Sequence, residues 1–266
     1  MLKKRKGQVT LFLLVGLILL FILIFVFSLI YSISKEKIKA NQEVLISLDS
    51  KAQAMKIVIE QCIEDVGESA LITVGYRGGR DSIEKPFFES DTLIMNYNYY
   101  LGKSKAPSLE DMVYSLEKLL NNNIEQCVKT SLEERDGNIL FQGASVELGI
   151  SDTDVQITDT FVLFTIKWPI SLNMDGTEKQ LEEFTPIQIP SRLKKISSVT
   201  DAIVWQLTIN PYFIDAFYLL DQELSFDISL FSTDTYVFII TDNKTVITGE
   251  PYKFLFAAKI RLPEEQ

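Results

Sequence analysis

Val9 to Ile33 is a stretch of 25 residues without one charged side chain, built mostly from Leu, Ile, Phe and Val. A bilayer core takes about 20 apolar residues as a helix. This run is long enough to span with some tilt. A cleavable secretory signal has a shorter apolar region of about 7–15 residues and a small-residue cleavage site. Ser32-Ile33-Ser34 imitates such a site poorly, so the segment reads as a retained, single-pass anchor in the lipid bilayer. Lys3, Lys4, Arg5 and Lys6 precede the run, and Lys35, Lys37 and Lys39 follow it. The stronger basic flank lies on the N-terminal side. The N terminus is therefore expected in the cytoplasm and the large C-terminal part outside the cell membrane.

The rest of the composition excludes more than it assigns. The net charge is −10; without the four basic residues at 3–6 the chain carries 22 basic and 36 acidic residues, a net −14. Such an exterior repels phosphate backbones, so no nucleic-acid partner is expected. The chain contains no histidine. That removes Ser-His-Asp and Cys-His catalysis, His-ligated zinc and the usual base near neutral pH. Two cysteines cannot make a four-cysteine metal site. No metal, cofactor or enzyme activity is expected, and no ligand is implied.

The stretch "KKRKGQVTLF" resembles the class III signal peptides of archaeal pilin-like proteins. In those, a basic stretch ends in Gly and a peptidase cuts ahead of the apolar helix. The resemblance implies cleavage between Gly7 and Gln8. At the fifth position after that bond the family usually carries Glu, whereas this chain has Phe12. The other reading of the same residues is a basic flank ahead of an ordinary anchor.

After Ser34 no Pro or Gly occurs before Gly67, and apolar or small side chains fall at Ile38, Leu45, Leu48, Ala52, Met55, Ile59, Cys62 and Val66. From Leu45 the spacing alternates three and four, a helical stripe with a heptad-like repeat. A helix is predicted to run from the membrane to about residue 70. Its stripe packs either on the chain's own domain, as in type IV pilins, or on a second copy by self-association through Leu45–Val66. A second helix follows Ser108, a candidate N-cap, with Glu110 and Asp111 in its first turn. Leu109, Met112, Val113, Leu116, Leu119, Leu120 and Cys127 make its apolar face. Each cysteine thus lies on the buried stripe of a predicted helix, within the same phrase "IEQC". A Cys62–Cys127 disulfide is expected if the compartment is oxidising. The alternative is two free core thiols.

From residue 137 the pattern turns to strands. "VQITDTFVLFTIKWPISL" is rich in β-branched and aromatic residues, and Asp175-Gly176 marks a hairpin turn before "EKQLEEFTPIQI" returns. Pro186 and Pro190 place the returning strand at an edge or end it early. Ser191–Ile209 has Leu193, Ile196, Val199, Ile203 and Leu207 at helical spacing, ended by Asn210-Pro211. "YFIDAFYLL" is a further short helix. "LSFDISLF", "TYVFIITD" and "YKFLFAAKI" form a meander with turns at Ser232–Asp234 and Asp242–Lys244. The expected class is α+β, a mixed helix and antiparallel-sheet domain. The expected organisation is a basic tail or leader (1–8), a transmembrane helix (9–33), a helical stalk packing on the domain (34–70) and an extracytoplasmic domain (71–266). Asn243-Lys244-Thr245 is an N-glycosylation sequon.

Few residues suggest chemistry. Asp152, Asp154 and Asp159 lack the ligand pattern of a calcium loop and read as a solvated turn. Glu133-Glu134 and Glu182-Glu183 read as surface charge. Arg77-Gly78-Gly79-Arg80 is too short for a phosphate loop and reads as a turn. "MNYNYYLG" suits glycan or protein contacts, but also an ordinary strand with one buried face. Several of these features occur together: the GQVT leader, Cys62 followed by Gly78-Gly79, "YYLG" with "PSLE" after it, Cys127 and a β-rich end. The set is similar to a group of archaeal membrane-anchored proteins without an established activity. It implies a cell-surface setting and brings no activity with it. The function expected is a structural or interaction role at the cell surface, as a pilin-like component. The alternative is an anchored binding module for a protein or glycan, with an anchored enzyme third.

Overall fold

The computed structural model describes residues 45–134, 141 and 143–262, together with Phe21 and Phe25, which are helical. Among the described residues no helix is long and apolar enough to cross a membrane. Apart from Phe21 and Phe25, the predicted span at 9–33 lies outside them, as do Gly7 and Gln8.

Helix α1 is described over 45–76, past the end near residue 70 that the spacing suggested. Leu48, Ala52, Met55, Ile59 and Cys62 are all buried in the chain's own core, and the stripe continues through Ile63, Ala70, Leu71 and Val74. Gly67 and Gly75 sit inside the helix because of what lies against them. A side chain at Gly67 would meet Ile189 and Phe164, and one at Gly75 would come within 2.3 Å of the Lys253 carbonyl oxygen. The helix ends in a Schellman motif: the Gly79 amide donates to the Val74 carbonyl (2.8 Å) and the Gly78 amide to the Gly75 carbonyl (3.4 Å). Gly78 takes the left-handed conformation this motif requires, with φ +67°.

Helix α2 (Leu109–Glu134) begins as read. Ser108 Oγ accepts from the Asp111 amide (3.1 Å), and Asp111 accepts in return from the Ser108 amide (2.9 Å), a capping box. Met112, Leu116, Leu120, Ile124 and Val128 are buried at successive turns.

One sheet is built around a single long strand. Strands β4 (Ala144–Leu148) and β5 (Asp152–Ile157) pair antiparallel with one side of β6 (Phe161–Met174). Strands β7 (Thr177–Glu183) and β8 (Ile187–Pro190) pair with its other side. Val162, Phe164, Ile166, Trp168, Ile170 and Leu172 are buried alternately along β6. The run read from Val155 to Leu172 is thus two strands. Thr158 closes the turn between them by accepting from the Phe161 amide (3.1 Å) and donating to its carbonyl (2.7 Å). Pro169 stands in the middle of the central strand, where the missing N–H ought to break a ladder. Both flanking arms break at that level instead. The β6–β7 register shifts between Lys167 and Ile170, and Gly149, between β4 and β5, donates to the Pro169 carbonyl (2.8 Å). Asp175 (φ +50°) and Gly176 (φ +78°) make the two-residue hairpin turn as read.

The other sheet has the order β1-β2-β11-β10-β9, from β1 (Phe87–Glu89), β2 (Ile94–Tyr100), β9 (Ser225–Ser232), β10 (Thr235–Ile247) and β11 (Glu250–Lys259). Strand β3 (Lys103–Ser104) adds to β2. Two expectations are corrected here. The sheet is not wholly antiparallel: β2, early in the chain, pairs parallel with β11, its last strand. Nor does the chain turn at Asp242–Lys244. Those residues form a bulge, β10 continues to Ile247, and Thr248 (φ +51°) with Gly249 (φ +84°) makes the turn. The buried Asp242 carboxylate holds the bulge, because it accepts from the Lys244 amide (3.0 Å) and Thr245 Oγ1 (2.6 Å). Helices α3 (Leu193–Ile209) and α4 (Ala216–Leu220) connect the two sheets. One core cluster contains side chains from α1, α2, α3 and both sheets, as an α+β domain. A smaller cluster of Phe88, Met95, Val237, Leu255 and Ala257 lies apart from it. Phe88 and Phe231, from opposite edges of the five-strand order, meet edge-on with ring centroids 4.8 Å apart, so the sheet curls over this cluster.

The glycine contacts make a ranked prediction. Alanine at either site gains about 1 kcal/mol of helix propensity. Gly75→Ala drives its methyl into backbone and should still be net destabilising, by about 1–3 kcal/mol. Gly67→Ala meets the movable end of Ile189 and should be close to neutral. Thermal unfolding of the two variants measures the order.

Candidate functional site

Cys62 on α1 and Cys127 on α2 form a disulfide, with an S–S distance of 2.12 Å and Cα atoms 5.8 Å apart. It closes 65 residues of chain; cross-links of this kind typically add about 2–4 kcal/mol. The cation-rich turn at 77–80 has its guanidinium groups engaged within the fold. Arg77 bonds the Asp81 carbonyl, and Arg80 reaches Asn98 (3.1 Å) and the Lys105 carbonyl. The amide-rich strand β2 serves the same segment. Buried Asn96 donates to the carbonyls of Arg77 (2.7 Å) and Ser82 (2.9 Å), and buried Asn98 donates to that of Gly78 (3.2 Å). These asparagines are internal fasteners, not surface contacts.

The remaining sequence candidates do not converge. Asp152 and Asp154 face outward on β5, and Asp159 pairs with Lys194 (2.9 Å). Asn243 is exposed in the β10 bulge, its amide donating to Ser225 (2.8 Å), while Thr245 of the same sequon is buried against Asp242. An open groove of about 310 Å³ runs between α1 and α2, lined by Asp65, Ser69, Thr73, Arg77, Leu119 and Asn123 among others.

The most unusual surface was not singled out by the sequence reading. At the end of α3 and on α4, Trp205, Ile209, Tyr212, Phe213, Phe217 and Leu220 are exposed, with Phe217 at 87% and Leu220 at 80%. Trp205 and Ile209 are one turn apart on α3, off the buried stripe of Leu193, Ile196, Val199, Ile203 and Leu207. The segment is held in place by polar contacts. Asp215 caps α4 by accepting from the Tyr218 amide (3.0 Å), and its own amide donates to Gln206 on α3 (3.3 Å). The Tyr212 hydroxyl donates to the Arg261 carbonyl (2.9 Å). Arg192, just ahead of α3, pairs with Asp242 (Nε to Oδ2, 2.9 Å) and donates to the Glu223 carbonyl beyond α4 (3.2 Å). Isolated exposed apolar residues are ordinary; six within sixteen residues make a patch of the kind that marks an interaction site.

The place of the patch follows from registers. Asp49 near the start of α1 pairs with Lys179 on β7, and Glu60 accepts from the Thr185 amide (3.0 Å). Gly75 then lies against Lys253, and Gly78 against Leu255 and Phe256, so α1 and β11 advance the same way. Tyr212, at the turn of the patch between α3 and α4, lies beyond, beside Arg261 at the far end of β11. Helix α1 therefore enters at the β7 end, and Tyr212 marks the other; from Tyr212 the segment returns beside α3, with Asp215 at Gln206 and Glu223 at Arg192, so the aromatic face runs along the flank of the half farther from that entry. Asp234 braces that far end, accepting from Ser232 (2.7 Å) and Thr235 (2.8 Å) and pairing with Lys259 (3.1 Å).

No protein-family model matches the chain, and no curated protein or solved structure is significantly similar to it.

Two carboxylates tie this architecture to pH. Hydrogen bonds from Ser232 and Thr235 bring Asp234 down to about 2. Burial pushes Asp242 up, but hydrogen bonds from Arg192, Thr245 and the Lys244 amide outweigh it and hold the group below its ordinary value. Both groups are depressed on folding. Their contribution is full above the unfolded value near about pH 4 and is lost as pH falls through the folded values. Asp242→Ala, which strands Arg192 and the bulge donors, should cost about 3–5 kcal/mol at pH 7. Asp242→Asn should lose less stability than the parent between pH 7 and pH 3. Urea unfolding at the two pH values reads both effects.

Proposed function

We propose that this chain is a single-pass, membrane-anchored cell-surface protein whose domain is an interaction module, offering its α3–α4 aromatic face to a protein partner. The observation that carries the reading is the position of that face. It is rich in Trp, Tyr and Phe, the aromatic residue types that anchor protein interfaces. It also lies along the half of the domain farther from the start of α1, the helix that leads back to the apolar segment at 9–33. On an anchored chain the face is held at a distance from its own membrane. The Cys62–Cys127 bond fits an oxidising exterior. Self-association through the α1 stripe has little surface available, since Leu48 to Cys62 of the stripe pack within the chain. A pilin-like leader remains part of the proposal and rests on Gly7 and Gln8 alone.

A photo-cross-linking residue at Phe217, in the full chain in its native membrane, tests the reading. The control is the exposed Tyr114 on α2. Protein adducts at 217 and none at 114 support an interaction face; lipid adducts at 217 overturn it. The intact mass of the extracted chain decides the leader. A mature chain starting at Gln8 supports processing, and one retaining Lys3–Gly7 leaves a plain anchor.

A further inference from the structure

Acidic residues outnumber basic ones in this chain, 36 to 26. One cleft reverses the balance. It lies beside the turn that follows α1, has a volume of about 30 Å³, and is lined by Arg80, Glu84, Lys85, Asn96, Tyr97 and Lys105 among others. Its walls are fixed by buried amides. Asn96 accepts from the Glu84 amide (2.8 Å) and donates to the Ser82 carbonyl (2.9 Å), which holds the segment carrying Glu84 and Lys85. The Asn98 carbonyl accepts from the Lys105 amide (2.8 Å), and the Asn98 side-chain oxygen accepts from Arg80 (3.1 Å). Three basic residues are thus held on one frame by two buried asparagines of β2.

The charge in this cleft is not balanced from within. The Arg80 side chain is only 15% exposed, and two of its nitrogens are taken by Asn98 and the Lys105 carbonyl. Its Nε is left with Glu84 at 3.7 Å, too long for a hydrogen bond, and that carboxylate is 66% exposed. Burial pulls the Arg80 pKa down, and Glu84 and Asp111 only partly offset it. Among the described residues the Lys85 and Lys105 ammonium groups form no ion pair.

We propose that this cleft is a phosphate site, taking either the free ion or the phosphate head of a larger ligand. A cleft lined mainly by one sign of charge focuses its field and draws in counter-ions. The charge selects the group. Three cations less one carboxylate leave two positive charges in the lining, and a phosphate monoester carries about −1.5 to −2 at neutral pH, more than a carboxylate. The donors agree. Arg80 offers its Nε edge alone rather than the paired fork that matches a planar carboxylate, and lysines bind phosphate as point charges. Three donors from separate segments suit a head with three acceptor oxygens. The cleft exceeds the roughly 10–15 Å³ that one water needs, yet has room only for a small head, so any further part of the ligand stays outside. Glu84 holds Arg80 loosely until the phosphate displaces it. The site shares no residue with the α3–α4 face and stands apart from that reading.

The test is calorimetric titration of the full chain in an uncharged detergent, at matched ionic strength, with inorganic phosphate and with glycerol 1-phosphate. Lys85 and Lys105 are exposed, so the double variant Lys85→Gln, Lys105→Gln keeps the fold. The expected result is saturable binding of at least one probe. The double variant weakens it about tenfold or more, and Glu84→Gln strengthens it about threefold. Lys129→Gln, at an exposed position on α2, leaves it unchanged. Equal affinity for the two probes, or binding of inorganic phosphate alone, assigns the free ion; tighter binding of the ester assigns a head group. No saturable binding of either probe overturns the proposal. So does binding that the double variant leaves intact, or that Lys129→Gln weakens equally.

Discussion

The close approach of α1 to both sheets is the constraint on which the rest of the domain depends. A helix facing one sheet needs one apolar stripe; α1 meets the strand-β6 sheet at Gly67 and the β11 sheet at Gly75, eight residues apart. Between them Leu71 is fully buried, and its carbonyl accepts from the Tyr252 hydroxyl (3.1 Å). Burial without a charged neighbour pushes that hydroxyl's pKa far up, so it remains a donor at any physiological pH. The two sheets share no strand. Side chains of α1, α2 and α3 meet those of both sheets in the common core, and α1 touches each sheet directly.

Polar residues do the complementary work of fixing irregular backbone. Asn96 and Asn98 gather the carbonyls of the segment after α1, and Asp242 gathers a guanidinium, a hydroxyl and an amide around the β10 bulge. Each group is buried, and each satisfies backbone or charge that would otherwise be costly to desolvate. These fasteners place the aromatic face: Arg192 joins the start of α3 to β10 and to the chain just beyond α4.

Much of this was legible in the residues. The heptad-like stripe of α1, the capping box of α2, the Asp175-Gly176 turn and the pairing of two cysteines on two apolar faces all depend on local pattern, which sequence displays. The misread places depend on partners distant in the chain. Asp242-Asn243-Lys244 has the composition of a turn, and the pairing of the buried Asp242 with Arg192, fifty residues earlier, is not visible in it. The amides of "MNYNYY" suggest a binding surface until the loop that they hold is known. The parallel β2–β11 seam joins residues about 160 apart, beyond any periodicity. The aromatic face was partly visible, because Trp205 and Ile209 fall off the helical stripe, but a helical spacing does not say which off-stripe residues remain uncovered.

The position of the disulfide has a mechanical meaning. On a chain held at its N terminus, any pull on the domain enters through the first turns of α1. From residue 45 to 61, α1 is held by packing and by surface pairs such as Asp49–Lys179, and these can peel one turn at a time. At Cys62 the load passes through a covalent bond into α2, the helix clamped on β5. The outer half of α1 can thus lengthen under tension while the half that joins the two sheets stays seated. On such a chain the disulfide is a built-in stop: the sheets beyond it keep their arrangement while the outer turns of α1 give.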